Sequence, residues 1–328
     1  MASQQNIAGA TSGNNIKLDN VVLDVYSNEI LFQAQPTLRF EQIVVKRNEL
    51  NVMPGNTIKF LKYSSLSGSA NLSETTPMET ATMSTSVLSI TVAERGFAVA
   101  VSEFLLRSSF TQVLSDAAML LGKHYAKERD ALIRDALMAG TNLLYGDSTG
   151  AMTNTSRADL DSTDHFDVNL VREIVEFLAT NKAPKFDLDA YFTFVHPHQA
   201  KFIRKDPAWV TAQLYTTPQN ILRGEIGRIE DVRFIETTMV PYIPAGTQDI
   251  FADGVDTNVN TAVTANANTS VYRAVAVADY AVGLAESLPV ELRDNGVEDF
   301  GRKHSLAYYG IWGVGILETA HSVIAETA

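Results

Sequence analysis

The chain has 328 residues, 45% of them hydrophobic and 20% charged, with a formal net charge of −12 and no cysteine. That mix can bury a core, and the length allows two domains or one elaborated one. The acid excess argues against a dedicated nucleic-acid binder, which needs a clustered basic face to displace counterions from phosphate. The missing thiols exclude disulfides, thiolate metal sites and cysteine nucleophiles.

The opening stretch Met1–Asn15 is polar and small-residued, with neither a basic start nor an apolar centre. It reads as a flexible arm and not as a secretory signal. Val21–Phe40 reads as a short helix running into an extended piece, broken at Pro36. After the turn-forming Pro54-Gly55-Asn56, the stretch Thr57–Tyr63 reads as a strand, and Val87–Val101 alternates as a second one. Between them lies the Ser- and Thr-rich segment Ser64–Ser86, so the pair predicts an extended β-hairpin with a long polar tip. A structureless loop of that length is unusual inside a compact domain, which predicts that the hairpin finds its partners on a neighbouring subunit.

Ser102–Gly140 predicts one long helix. Ser102 stands at the N-cap with Glu103 in the first turn, and Gly140 is the expected stop. Leu106, Phe110, Val113, Ala117, Leu120, His124, Ala131 and Leu132 share a face, and Asp130 precedes Arg134 by the four residues of a helical ion pair. Unbroken, it would span about 55 Å, with Ser108-Ser109 as the expected kink. Thr141–Asp167 is a second polar region. Val168–Asn181 predicts an amphipathic helix, Ala190–Val195 a buried strand, and Pro197 and Pro207 each a helix start. Gly224–Thr237 reads as strand, turn and strand, with Gly224 and Gly227 permitting the sharp turn. Gly254–Ser270 reads as a surface loop, Val271–Glu286 and Pro289–Arg293 as strands, and Ser305–Leu317 as a strand buried against the long helix. A membrane span needs about 20 apolar residues, more than any run here supplies, so a soluble chain made in a cytoplasm is expected.

No catalytic, cofactor-binding or metal-ligating residues are predicted. His196-Pro197-His198 could aim two imidazoles one way, yet no third ligand stands near, and a strand end turning into a helix is expected. Gly296–Lys303 loosely follows a phosphate-loop pattern. It lacks the Lys-Ser/Thr pair after its second glycine, and Glu298 and Asp299 would repel phosphate. Asp159, Asp161, Asp164 and Asp167 lack calcium-loop spacing and read as a solvated loop. Lys127, Arg129 and Arg134 are expected to form ion pairs between subunits.

Five stretches carry a family resemblance: EILFQAQPTLRFEQ (Glu29–Gln42), PGNTIKFLKY (Pro54–Tyr63), the helix from Ser102, GEIGRIEDVRFIET (Gly224–Thr237) and YYGIWGVGIL (Tyr308–Leu317). In this order and spacing the chain resembles the major capsid proteins of tailed bacteriophages, which share the HK97 shell fold. The resemblance implies an α+β, HK97-type phage capsid fold in four parts: an N-terminal arm at 1–46, an extended β-hairpin loop at 47–95, a peripheral domain with a long spine helix at 96–165 and 289–328, and an axial domain at 166–288. It implies a structural protein and not an enzyme, without cofactors. Such a protein self-assembles into pentamers and hexamers that form an icosahedral shell around double-stranded DNA. Each hairpin would lie on a neighbour's spine helix. The implied partners are further copies, scaffolding, portal and decoration proteins, with DNA enclosed without sequence-specific binding and no membrane. The implied location is the virion, after assembly in the host cytoplasm. No long charged scaffolding segment and no isopeptide pair stand out, so a separate scaffold and no covalent cross-linking are expected. Two other readings stay open: a nanocompartment (encapsulin-like) shell of the same fold, and a soluble α+β enzyme with a polar lid loop.

Overall fold

The computed structural model describes residues 39–49, 55–63, 80, 82–109, 113–186, 189–214, 225–245 and 269–328. The predicted arm, the helix before Pro36, the hairpin tip at 64–79 and the loop at 246–268 lie outside them. The described strands are β1 (Val45–Arg47), β2 (Thr57–Tyr63), β3 (Thr85–Thr91), β4 (Ala93–Ser102), β5 (Leu143–Tyr145), β6 (Tyr191–Val195), β7 (Glu225–Ile229), β8 (Val232–Glu236), β9 (Tyr242–Ile243), β10 (Val271–Val277), β11 (Val282–Glu298), β12 (Lys303–Ile316) and β13 (Ser322–Thr327). The helices are α1 (Glu103–Ser108), α2 (Val113–Met138), α3 (Val168–Thr180), α4 (Pro197–Ile203) and α5 (Pro207–Leu214).

A seven-stranded mixed sheet runs β5-β13-β10-β6-β8-β7, with β9 beside β10. Side chains alternate across a strand, so each strand feeds two cores. Ala274 and Ala276 of β10 and Val323 and Ala325 of β13 face one way, onto Leu170, Val171, Ile174 and Leu178 of α3. Val275, Val277 and Ile324 face the other way, onto Ile133, Leu137 and Met138 of α2 and onto Phe40 and Ile43. Phe40 stacks on Phe194 with ring centroids 4.4 Å apart. Asp167 caps α3 by accepting from the Leu170 N–H, as a short carboxylate at a helix start does.

A four-stranded sheet runs β1-β11-β12-β4. Its inner face packs Leu284, Leu306, Tyr308 and Trp312 onto Ala117 and Leu121 of α2. The N-terminal half of α2 therefore lies on the four-stranded sheet and its C-terminal half on the seven-stranded one. Charges concentrate where it passes between them. Asp130 accepts from the backbone N–H groups of Arg39 and Glu41, both at 3.1 Å. Arg129 pairs with Glu41 at 3.1 Å and Glu286 at 3.5 Å, while Arg134 pairs with Asp135 at 2.6 Å and donates to the Met239 carbonyl. Burial pushes the Asp130 carboxyl up, against the downward pull of those backbone donors.

Several expectations are corrected here. The long helix is two: Ser109 is extended and caps α1, so α2 alone, at 26 residues, spans about 39 Å. The Ser108 hydroxyl donates back to the Phe104 carbonyl, competing with the helical ladder where the break occurs. Asp130 caps the Phe40–Ile43 turn in place of pairing with Arg134, and Arg129 and Arg134 find their partners within the chain. Leu121 is the buried leucine, and Leu120 is 48% exposed. The turn in Gly224–Thr237 falls at Glu230-Asp231, both at positive φ (48° and 62°), with Gly227 at a register shift in β7. This is the two-residue geometry that matches strand twist. The 141–167 region contributes β5 to the large sheet, parallel to β13.

One buried ionic group fastens that sheet. Glu326 on β13, with no solvent exposure, receives Arg157 at 2.5 and 2.8 Å and lies 3.1 Å from Arg273, its cross-strand neighbour on β10. Both arginines are buried. Glu326→Gln would keep the shape and leave two buried cations without their carboxylate. It should destabilise the subunit by about 3–5 kcal/mol in denaturant titration. A loss under 1 kcal/mol would show that the group is not a fastening.

Candidate functional site

No group of three or more His, Asp or Glu side chains is arranged to hold a metal among the described residues. The histidine pair is a helix start. His196 accepts the His198 N–H on its Nδ1, and its own backbone N–H donates to the Gln199 Oε1, closing a capping box on α4 with Pro197 in the first turn. Tyr272 stacks on His198 with centroids 4.1 Å apart, and His165 stacks on Phe202 at 3.6 Å. The glycine-containing stretch from Gly296 is the end of β11 and the turn at Asp299–Gly301 that leads into β12.

The acidic loop is less solvated than its composition suggests. Asp164 is 4% exposed and accepts from the Ser148 and Asp161 N–H groups and the Asn154 amide. Asp147, which composition did not single out, accepts from the hydroxyls and N–H groups of Thr149 and Thr153 at 2.6 to 2.8 Å. Those donors, the Thr149 hydroxyl foremost, hold its carboxyl well below the usual carboxylate range. The aspartates act as fold-internal acceptors, and the signal for them was the interleaved Ser and Thr.

What remains is surface. β2 and β3 pair antiparallel from Thr57 opposite Thr91 to Tyr63 opposite Thr85. The root is fixed: Ile58, Ile90 and Val92 pack on Ala285. Glycines make the seat. A Cβ on Gly313 would stand 2.2 Å from the Thr91 carbonyl oxygen, and one on Gly315 would stand 2.9 Å from the Ile90 side chain. Gly283, the cross-strand partner of Gly315, approaches Ile90 as closely, so β3 crosses the sheet where no side chain intervenes. An ion pair from Lys62 to Glu318 ties the hairpin's flank. Beyond the root the apolar side chains are largely exposed: Leu61 and Val87, directly opposed, at 64% and 54%, and Tyr63 at 61%. Phe97 on β4 and Met119 and Leu120 on α2 are likewise about half exposed.

The imidazoles give a pH dependence with a defined sign. Burial, then neighbouring positive charge, holds both His196 and His198 below the ordinary histidine value. Protonating the His196 Nδ1 also turns its cap acceptor into a donor. Stability should be full above about pH 6.5, fall as pH drops through that value, and level off below the depressed folded values. Carboxylates such as Asp147 act only from about pH 4 downward. Thermal melts between pH 8 and 5 should show the first loss, and His196→Asn, which keeps a cap acceptor, should flatten it. A flat profile in the unaltered protein would contradict this.

The chain matches the phage capsid protein family model over residues 85–323. No curated protein matches it in sequence. Among solved structures it is similar to the Cyanophage Pam1 capsid asymmetric unit, with a TM-score of 0.73 at 15% identity over 98% of this chain and 99% of that one. It is also similar to the capsid of Ralstonia phage GP4, with a TM-score of 0.68 at 16% identity over 97% and 98%. A third is the acidic stable capsid of Helicobacter pylori bacteriophage KHP30, with a TM-score of 0.67 at 15% identity over 97% and 99%. With the family match covering most of its length and the shell fold shared end to end, the chain belongs to the phage capsid protein family, as a major capsid protein of HK97 fold.

Proposed function

We propose that the chain assembles with copies of itself, as pentamers and hexamers, into an icosahedral shell enclosing phage double-stranded DNA. The observation that carries this is the hairpin: a fixed root, and an outer part whose Leu61, Tyr63 and Val87 are more than half exposed. Burying apolar area on a neighbour gains roughly 25 cal/mol per Å², so a reaching hairpin converts exposed side chains into assembly energy. The half-exposed Met119 and Leu120 of α2 and Phe97 of β4 offer the matching surface. The parts would be an arm at 1–46, the extended loop at 47–95, a peripheral domain at 96–165 and 289–328, and an axial domain at 166–288. Strands β5 and β13 extend the axial sheet, and β11 carries the chain across the boundary at 288/289.

The role is structural and not enzymatic, and the location is the virion, reached by assembly in the host cytoplasm. Scaffolding, portal and decoration proteins are the further partners. With a net charge of −12, the shell would hold its genome by enclosure, without phosphate-reading contacts. The likeness to phage capsids favours a genome over the enzyme cargo of a nanocompartment.

Deleting Ser65–Thr82 tests the clasp. The truncated chain should melt cooperatively, near the temperature of the full chain, and remain as free subunits or capsomers in sedimentation, where the full chain forms shells. Normal shells from the truncated chain would refute the clasp.

A further inference from the structure

Asn295-Gly296 is the only Asn-Gly pair in the sequence, and it lies near the end of β11. The ladder between β11 and β12 slips there. Asp294 stands opposite Leu306 and Val297 opposite His304, so Asn295 and Gly296 together face the single residue Ser305 as a β-bulge. Gly296 takes a φ of +72°, and a Cβ placed on it would meet nothing within 4 Å. Asn295 is exposed. The bulge accounts for the glycine, which adopts a left-handed backbone without steric cost. It does not account for the asparagine before it, nor for the charged groups that close on the pair.

Three side chains converge on this peptide. The Gly296 N–H donates to Asp294 Oδ1 at 2.7 Å, and the same oxygen lies 2.7 Å from His304 Nε2 across the ladder. The Gly296 N–H, then His304, hold the Asp294 carboxyl below the usual carboxylate range, so it stays ionised at neutral pH. The Asn295 side-chain amide donates to Glu298 Oε1. The backbone nitrogen that follows Asn295 thus has its proton on one carboxylate, and the Asn295 amide has its nitrogen on another. Gly296 carries no Cβ to crowd the approach between them.

We propose that Asn295-Gly296 is a self-modification site, at which the Gly296 nitrogen closes onto the Asn295 side chain and converts it to aspartate and isoaspartate, with Asp294 accepting the amide proton. The Gly296 nitrogen gives its proton to Asp294 Oδ1 as it bonds to Asn295 Cγ. The Cγ–Nδ2 bond then breaks. The departing nitrogen takes up that proton and leaves as ammonia, which restores the carboxylate and leaves a cyclic imide. Water opens the imide, its hydroxyl adding to a ring carbonyl and its proton returning to the Gly296 nitrogen. Opening at Cγ gives aspartate, and opening at the main-chain carbonyl gives isoaspartate. The net change is water in and ammonia out, with no oxidant or cofactor. Isoaspartate lengthens the main chain of the bulge by a methylene, and either product adds a negative charge beside Asp294, Glu298 and Asp299. Conversion would therefore weaken the pairing of Val297 and Glu298 with His304 and Lys303. It needs only the subunit's own residues and water, so it proceeds whether or not shells form.

Incubating the full chain at neutral pH, folded and in denaturant, tests this by peptide mass spectrometry with enzymatic detection of isoaspartate. The peptide containing Asn295 should gain the mass difference between an amide and an acid ahead of every other asparagine. It should do so no more slowly in the folded chain than in the unfolded one. Gly296→Ala should slow the conversion by roughly tenfold or more, because a Cβ crowds the attacking nitrogen. Asp294→Ala should slow the folded chain several-fold and leave the unfolded rate unchanged, with melting curves showing that both variants fold. Should a variant not fold, the comparison of folded and unfolded unaltered chain still decides. The proposal is overturned if Asn295 remains an amide in the folded chain, if folding slows its conversion below the unfolded rate, or if Asp294→Ala leaves the folded rate unchanged.

Discussion

The structure depends on one helix serving two cores. The first half of α2 places Ala117 and Leu121 against the four-stranded sheet, and its second half places Ile133, Leu137 and Met138 against the seven-stranded sheet. Neither sheet could keep that face in water, and α2 is the element that covers both. The passage between them is marked by buried charges, each compensated by backbone or side-chain partners within the chain. Compensation matters there because an uncompensated buried charge costs several kcal/mol. The Phe40–Ile43 turn is drawn into the same passage through Asp130, and Phe40 fills the core behind it.

From that frame the β2–β3 hairpin departs, while β11 and β12 stay paired within the small sheet to its end. The β2–β3 hairpin crosses the small sheet at its glycines, where backbone meets backbone and side chains would collide. Such a crossing fixes where the hairpin starts and leaves its outer part free of the subunit's own core. The β11–β12 pair, flanked by β4 as far as Lys303, has register shifts around Pro289 and beyond and ends in a turn with residues at positive φ. The hairpin and the end of the small sheet both carry apolar side chains outward. A monomer gains nothing from that arrangement, whereas a subunit surrounded by copies of itself recovers the burial.

The sequence made much of this legible. Ser102 and Asp167 announced helix starts through their side-chain oxygens, and the prolines at 197 and 207 opened α4 and α5 as expected. The hairpin was readable from alternation and a polar interval, although the run Val87–Val101, read as one strand, divides into β3 of the hairpin and β4 of the four-stranded sheet; the resemblance ordered the whole. The misses have physical causes. Ser108-Ser109 allows both a kink and a break, and only the competing bond to the Phe104 carbonyl, with an extended Ser109, decides it. Arg129 and Arg134 look like surface cations by type, but α2 lies between two sheets and their partners come from distant residues such as Glu41, Glu286 and Met239.

The central claim is that the exposed apolar surfaces of this subunit exist to be covered by copies of itself. Electron microscopy of the purified full chain, with sedimentation of the same sample, tests this most directly. The account expects capsomers or closed shells of uniform diameter that form without DNA, held by subunit contacts. A chain that stays monomeric or as a small oligomer across concentration and salt, with both apolar surfaces unengaged, would contradict it.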